Sequence, residues 1–141
     1  MKTTERNRSD TGPRQPQMDR EGAMRLAETE YGRSRDLLRA LSPDDWSMLT
    51  DCPAWDVRAM AGHTTGMALM ATGMKETLRQ SMLAKRRGGL PLDALTALQV
   101  QEHADLTTRD LVDRFAEIGP PAARGRRRTP PLLRRVTRRR A

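Results

Sequence analysis

The spacing of apolar side chains is the feature that most constrains how this chain can fold. Apolar residues recur at alternating steps of three and four, which places them on one face of a helix. No segment sustains the alternation of apolar and polar residues that is typical of a half-buried strand. The first such face consists of Met24, Ala27, Tyr31, Ser34, Leu38 and Leu41. We therefore predict an all-α protein that folds as an up-and-down helical bundle.

Capping signals set the expected boundaries of the first two helices. Asp19 or Glu21 opens a helix that runs to about Leu41, and the following Ser-Pro-Asp-Asp segment begins a single turn carrying Trp46. Asp56 is then a good N-cap for a second, long helix that ends at 86–89, where two arginines precede two glycines. The predicted buried stripe of this long helix is Met60, His63, Met67, Met70, Met74, Leu78 and Met82.

Two further helices complete the predicted bundle. The third fits Pro91 to about His103, and a capping box at 107–110 opens a fourth, which we expect to end at 119–121, the segment Gly-Pro-Pro. Residues 1–18 are polar and are predicted to form a disordered leader, and residues 122–141 an Arg-rich tail that is largely disordered or weakly helical. The bundle domain is thus expected to span 19–121.

The basic character of the chain is concentrated at its C-terminal end. The net charge is +8, but nine of the 26 basic residues lie in 124–141, a segment without an acid, so the rest of the chain is close to neutral. The tail lacks the interleaved aromatic residues that stack on bases, and a solvated tail is the simpler interpretation. We therefore do not expect a nucleic-acid partner, and the high pI does not describe the bundle surface.

Several classes of protein are excluded by composition. Cys52 is the single cysteine, which excludes an intramolecular disulfide and a cysteine-based zinc finger. The N-terminal segment is polar rather than a secretory signal, and no stretch approaches the ~20 apolar residues that span a bilayer. These features predict a cytoplasmic protein with no membrane partner.

His63 is the residue whose position most suggests metal chemistry. It occupies a place on the second helix where the pattern predicts an apolar core residue, and neutral imidazole is a common ligand for divalent ions. On spacing alone, a buried neutral histidine bonded to a carbonyl oxygen is the simpler interpretation. His103 is interpreted as an exposed histidine at a helix C-terminus, and Cys52 as a small buried group in a tight turn. Trp46 and Trp55 bracket that turn and are expected to fix it to the bundle.

Two sequence segments carry a family resemblance that changes the interpretation of His63. LSPDDW at 41–46 and TDCPAWDVRAMAGH at 50–63 closely resemble the mycothiol-dependent maleylpyruvate isomerase family, whose N-terminal domain is a DinB-like metal-binding bundle. The resemblance covers about residues 20–135 and is less distinctive after 99. It implies that His63 is a ligand of a divalent metal, most plausibly zinc, and that the cofactor is the thiol mycothiol.

The same resemblance implies that the site is incomplete. The family completes its site with a carboxylate or histidine and a further histidine, four residues apart on a later helix, and no residue of this chain matches that pair. We therefore expect an incomplete bundle, a C-terminally truncated or frame-shifted member that lacks the last ligand-bearing helix. The predicted function is a metal-binding domain of a mycothiol-dependent isomerase or thiol transferase, acting on a small-molecule substrate but catalytically impaired. The alternative is a non-catalytic interaction module or homo-oligomer that covers its exposed apolar groove.

Overall fold

The computed structural model describes residues 17–128, and the helices in this range confirm the predicted all-α fold. The helices are α1 (Arg20–Ala40), α2 (Val57–Ala71), α3 (Met74–Arg87), α4 (Pro91–Glu102) and α5 (Thr108–Arg128), with a 3-10 turn at Asp45–Ser47. Extended pairing within the described range is limited to one isolated bridge, between Leu49 and Asp56. None of the described helices is long and apolar enough to cross a membrane. Most of the predicted leader and the end of the Arg-rich tail lie outside the described residues.

The helix starts follow the predicted caps. The Asp19 carboxylate accepts from the backbone N–H of Gly22 at 2.7 Å, and the Asp56 carboxylate accepts from that of Ala59 at 2.7 Å. At the start of α5, the backbone N–H of Asp110 donates to Thr107 Oγ1 at 3.1 Å. Each bond satisfies a backbone donor that the first turn of a helix leaves without a partner, which is why these starts are readable from local sequence.

The prediction of one long second helix is wrong, because the helix is interrupted between Ala71 and Met74. The Thr72 hydroxyl donates to the carbonyl oxygen of Leu69 at 2.7 Å, and Gly73 follows in an extended conformation. Glycine is a poor helix former, and a threonine hydroxyl competes for the helix carbonyls. The hydroxyl of Thr77 donates to the carbonyl oxygen of Met70 at 3.0 Å, so the end of α2 is closed by the first turn of α3.

The predicted end of the last helix at 119–121 is also wrong, since α5 continues through Pro120 and Pro121 to Arg128. Two prolines remove two backbone donors, a loss that tertiary contacts offset here. Ala122 is fully buried against the bundle, and Arg20 of α1 donates to the carbonyl oxygen of Arg127 near the end of the helix. Packing on neighbouring helices therefore outweighs the local stop signal.

The helices pack in the spatial order α1, α5, α2, α4, α3, with α3 also touching α2. Helix α2 lies in the middle of this order, and the buried face of α5 meets α1 and α2 through Leu111, Phe115 and Ile118. Trp46 of the 3-10 turn joins this core against Leu111, which confirms that it fixes the turn to the bundle. The buried face of α2 differs from the predicted stripe and consists of small residues: Ala61, Gly62, Thr65, Gly66 and Ala68.

The predicted stripe is largely exposed. Met67 is 40% exposed, and Met74, Leu78 and Met82 are each more than half exposed. The reason is steric, because small side chains on the other face of α2 let α4 and α5 approach closely. A Cβ placed on Gly66 would lie only 2.6 Å from Gln99 Cβ on α4, and one on Gly125 of α5 would meet the carbonyl oxygen of Ala71. The core therefore forms where the backbones come closest.

Candidate metal centre

The turn before α2 places an aromatic ring against His63. Thr50 organises this turn, because its hydroxyl donates to the carbonyl oxygen of Trp55 at 2.9 Å and accepts from the backbone N–H of Cys52 at 3.1 Å. The Trp55 ring then lies against the imidazole of His63, with centroids 5.2 Å apart and planes at 43°. Cys52 is half-buried in the same turn. One side of the imidazole is thus shielded by the segment that precedes its own helix.

His63 itself is half-buried, which corrects the prediction that it lies on a buried stripe. It stands at the border between the small-residue face of α2 and the exposed methionines. Its Nδ1 atom lies 2.8 Å from Oε1 of Gln99 on α4. A histidine that ligates a metal generally uses its other ring nitrogen to bond a fixed acceptor, which orients the ring. The contact with Gln99 has this geometry, so Nε2 is the ring nitrogen that remains available to a ligand.

Two fully buried glutamines extend this contact into the bundle. The Gln99 amide nitrogen donates to Oε1 of Gln80 on α3 at 2.9 Å and also lies near the sulfur atoms of Met67 and Met70. The Gln80 amide nitrogen donates to the carbonyl oxygen of Gly66 at 3.1 Å. Both glutamines are 0% exposed, and no buried side-chain nitrogen or oxygen in the described range lacks a partner. Sequence reasoning missed both residues.

A group of three charged residues borders the glutamines. Glu76 accepts from the Gln80 amide at 3.0 Å and from Arg79, and Arg79 also forms a two-bond pair with Glu102 of α4. Hydrogen bonds from the Arg79 guanidinium lower the pKa of both Glu76 and Glu102 below the ordinary value, and partial burial opposes this only in part. The two carboxylates in turn raise the pKa of Arg79. Glu76 is therefore an ionised acceptor at neutral pH.

His103 does not match its predicted exposed position. It is the C-cap of α4 and only 6% exposed, and its Nδ1 atom lies 2.8 Å from the backbone carbonyl oxygen of Gln99. The Cβ of His103 would be 3.3 Å from a Cβ on Gly62, so close helix packing buries it. The two histidines of the chain therefore bond different parts of one residue: His63 the side chain of Gln99, His103 its backbone.

Two open depressions flank this network. A charged cleft of about 680 Å³ lies between α4 and α5 and includes Arg79, Glu102 and His103 in its wall. A more apolar groove of about 760 Å³ lies along the end of α2 and the end of α5, and it includes Met67, Met70 and Arg126. Since Met67 and Met70 also contact the Gln99 amide, the apolar groove adjoins the network that holds His63.

The residues present fit one metal ligand and not a complete set. A catalytic zinc site uses about three protein ligands and one open position. Within residues 17–128, no group of three or more histidine, cysteine, aspartate or glutamate side chains could hold a metal ion. The carboxylates of Glu76 and Glu102 are already paired with Arg79. His63 is thus a single candidate ligand among the described residues.

The fold and this arrangement define an all-α domain with one oriented imidazole beside an aromatic turn. The sequence pattern of the mycothiol maleylpyruvate isomerase N-terminal domain matches residues 27–141, which is most of the chain, and the chain belongs to that family. Comparison with curated proteins gives no match, and comparison with solved structures gives none either.

Proposed function

We propose that this protein is a metal-site domain of the mycothiol-dependent isomerase family in which His63 Nε2 provides one protein ligand to a divalent cation, with zinc the first candidate. The observation that carries the proposal is the 2.8 Å contact between His63 Nδ1 and Gln99, which leaves the other ring nitrogen for a ligand. Family membership supports the choice of His63 and of a small thiol as cofactor. A bound divalent ion would supply deprotonation of a coordinated thiol.

We further propose that the domain is catalytically impaired by itself, because one imidazole does not form the ligand set that such chemistry requires. This chain supplies the orientation of the His63 ring. Gln99 fixes the edge of the His63 ring, and Trp55 covers part of its face. The expected metal affinity is accordingly weak, and completion of the site would require ligands beyond those that residues 17–128 bring together.

Metal titration of the purified protein tests this proposal. We expect isothermal titration with Zn²⁺, and with Co²⁺ as a spectroscopic substitute, to show about one weakly held equivalent that His63→Ala abolishes. His103→Gln is the matched control, since it removes the only other imidazole of the chain and keeps a polar side chain there. Absence of binding to the unmodified protein, or equal binding by His63→Ala, would show that His63 is not a metal ligand.

A second candidate function is favoured by the exposed apolar stripe. Met67, Met74, Leu78 and Met82 present large apolar side chains on one side of α2 and α3, and an apolar patch of this kind often marks a protein interface. We propose, as the alternative, a non-catalytic domain in which a second copy covers this stripe. Sedimentation velocity should then show a dimer that Met82→Glu dissociates and that Leu37→Glu, on the exposed side of α1, leaves intact. A compact monomer at all concentrations would exclude this alternative.

A further inference from the structure

The hydrogen bonds that connect His63 with α3 can have only one order of donors and acceptors. The chain of bonds begins at two groups that can only accept, the backbone carbonyl oxygen of Gly66 and the carboxylate of Glu76. Both lie within 3.1 Å of the same atom of Gln80, which must therefore be its amide nitrogen. The amide oxygen of Gln80 consequently faces Gln99.

The same argument orients Gln99. The atom of Gln99 that lies 2.9 Å from the Gln80 oxygen must be a donor, so it is the amide nitrogen. The Gln99 oxygen is left facing His63, 2.8 Å from Nδ1. An amide oxygen only accepts, and Nδ1 must therefore carry the proton. In a neutral imidazole, Nε2 then holds the lone pair.

We infer that Gln80 and Gln99 are positioning residues that set the tautomer of His63, with the proton on Nδ1 and the lone pair of Nε2 free to bind a metal. The purpose of this tautomer rests on the proposed function, whereas the tautomer itself depends only on residues of this chain. Burial enforces the direction, because both glutamines are fully buried and reversing either amide would bring two donors or two acceptors together where water cannot compensate.

The Arg79 pair keeps the first acceptor in place. Arg79 donates to Glu76 at 2.9 Å through Nε and reaches across to Glu102 of α4 at 2.6 Å through a terminal nitrogen. An ionised Glu76 has no proton to donate, so it cannot form a hydrogen bond with the amide oxygen of Gln80 in the reversed orientation. Three helices therefore cooperate: α3 supplies Gln80, α4 supplies Gln99 and α2 supplies both the Gly66 carbonyl and His63.

Ring nitrogen NMR on the metal-free protein tests the assignment directly. At a pH where imidazole is neutral, we expect the ¹⁵N shifts of His63 to report the Nδ1–H tautomer, whereas histidine in water favours Nε2–H. Gln99→Met removes the acceptor at similar length and should convert His63 mainly to Nε2–H. Gln80→Met leaves Gln99 free to reverse and should give a mixture.

His103 is the control within every sample. Its Nδ1 faces the backbone carbonyl of Gln99, which no side-chain substitution removes, so it should stay in the Nδ1–H form in each folded variant. An Nε2–H signal for His63 in the unmodified protein would overturn the inference even if a variant fails to fold. So would an unchanged Nδ1–H form in Gln99→Met and Gln80→Met. Because no metal is present, absence of metal binding would refute the proposed function and leave the tautomer result standing.

Discussion

Replacing Gly66 with alanine should force α2 and α4 apart. The added Cβ would lie 2.6 Å from both Cβ and Cγ of Gln99 and 3.2 Å from its Cδ. A rotamer change can move Cγ but not Cβ, which is fixed by the backbone of α4, so the helices must separate. We expect the free energy of unfolding to fall, although alanine is the better helix former.

The magnitude follows from two opposed effects. Overpacking a closely packed contact costs about 1–3 kcal/mol. Alanine in place of glycine inside a helix returns ~1 kcal/mol. The net loss at Gly66 is then between about zero and 2 kcal/mol, so the comparison needs a control that contains only the second effect. Gly32 provides it, because it lies inside α1 and a Cβ there meets nothing within 4 Å.

Urea unfolding followed by far-UV circular dichroism measures both variants. Gly32→Ala should raise the free energy of unfolding by about 0.5–1 kcal/mol, and Gly66→Ala should fall below Gly32→Ala by about 1–3 kcal/mol at unchanged m-value. The comparison between the two alanine variants removes the intrinsic helix preference. A Gly66→Ala protein as stable as Gly32→Ala would refute the close approach of α2 and α4.

Two further predictions concern charge and capping. Arg79 holds the pKa of Glu76 and Glu102 below the ordinary 4.5, so their contribution to stability is complete above that pH and is lost as the pH falls through the lower folded values. The urea midpoint of Arg79→Met should therefore depend less on pH in this acidic range than that of the unmodified protein, and equal slopes would contradict the pairing. Asp56→Ala should cost about 1 kcal/mol in the same assay because it removes the acceptor for the Ala59 N–H, whereas Asp56→Asn should retain most of that stability.

Local signals made the starts of the helices predictable. The caps at Asp19 and Asp56 act within one helical turn, and the all-α class follows from apolar residues spaced at steps of three and four. The break at Thr72 and Gly73 was missed because the apolar spacing continues across it, from Met70 to Met74. A continuous stripe does not distinguish one long helix from two shorter helices that share an exposed side.

Tertiary contacts account for the missed end of α5. Gly119 and the two prolines after it are a strong local stop signal, yet the helix continues because Ala122 and Ala123 find buried positions beyond them. The helices against which α5 packs, α1 and α2, are distant from this segment in sequence. Such an outcome depends on where α1 and α2 lie, which a local pattern does not contain.

The candidate site was predictable in part. His63 could be selected from its spacing and from the family resemblance, but Gln80 and Gln99 could not, because glutamine is ordinarily an exposed residue. They are buried here because each satisfies the other and because carbonyl and carboxylate acceptors complete the set. A buried polar network arises from the relation between helices and leaves little trace in any one of them.

The small-residue face of α2 links packing to the orientation of His63. Because Gly66 has no side chain, Gln99 lies against the backbone of α2, and only there does its amide reach both His63 and Gln80. Stability and tautomer should therefore respond differently to two substitutions. Gly66→Ala separates the helices and should disturb both, whereas Gln80→Met leaves the helix contact in place and should change the tautomer, with a loss of stability confined to the hydrogen bonds that it removes. If Gly66→Ala destabilised the fold and left His63 in the Nδ1–H form, the close approach of α2 and α4 would not be what orients Gln99.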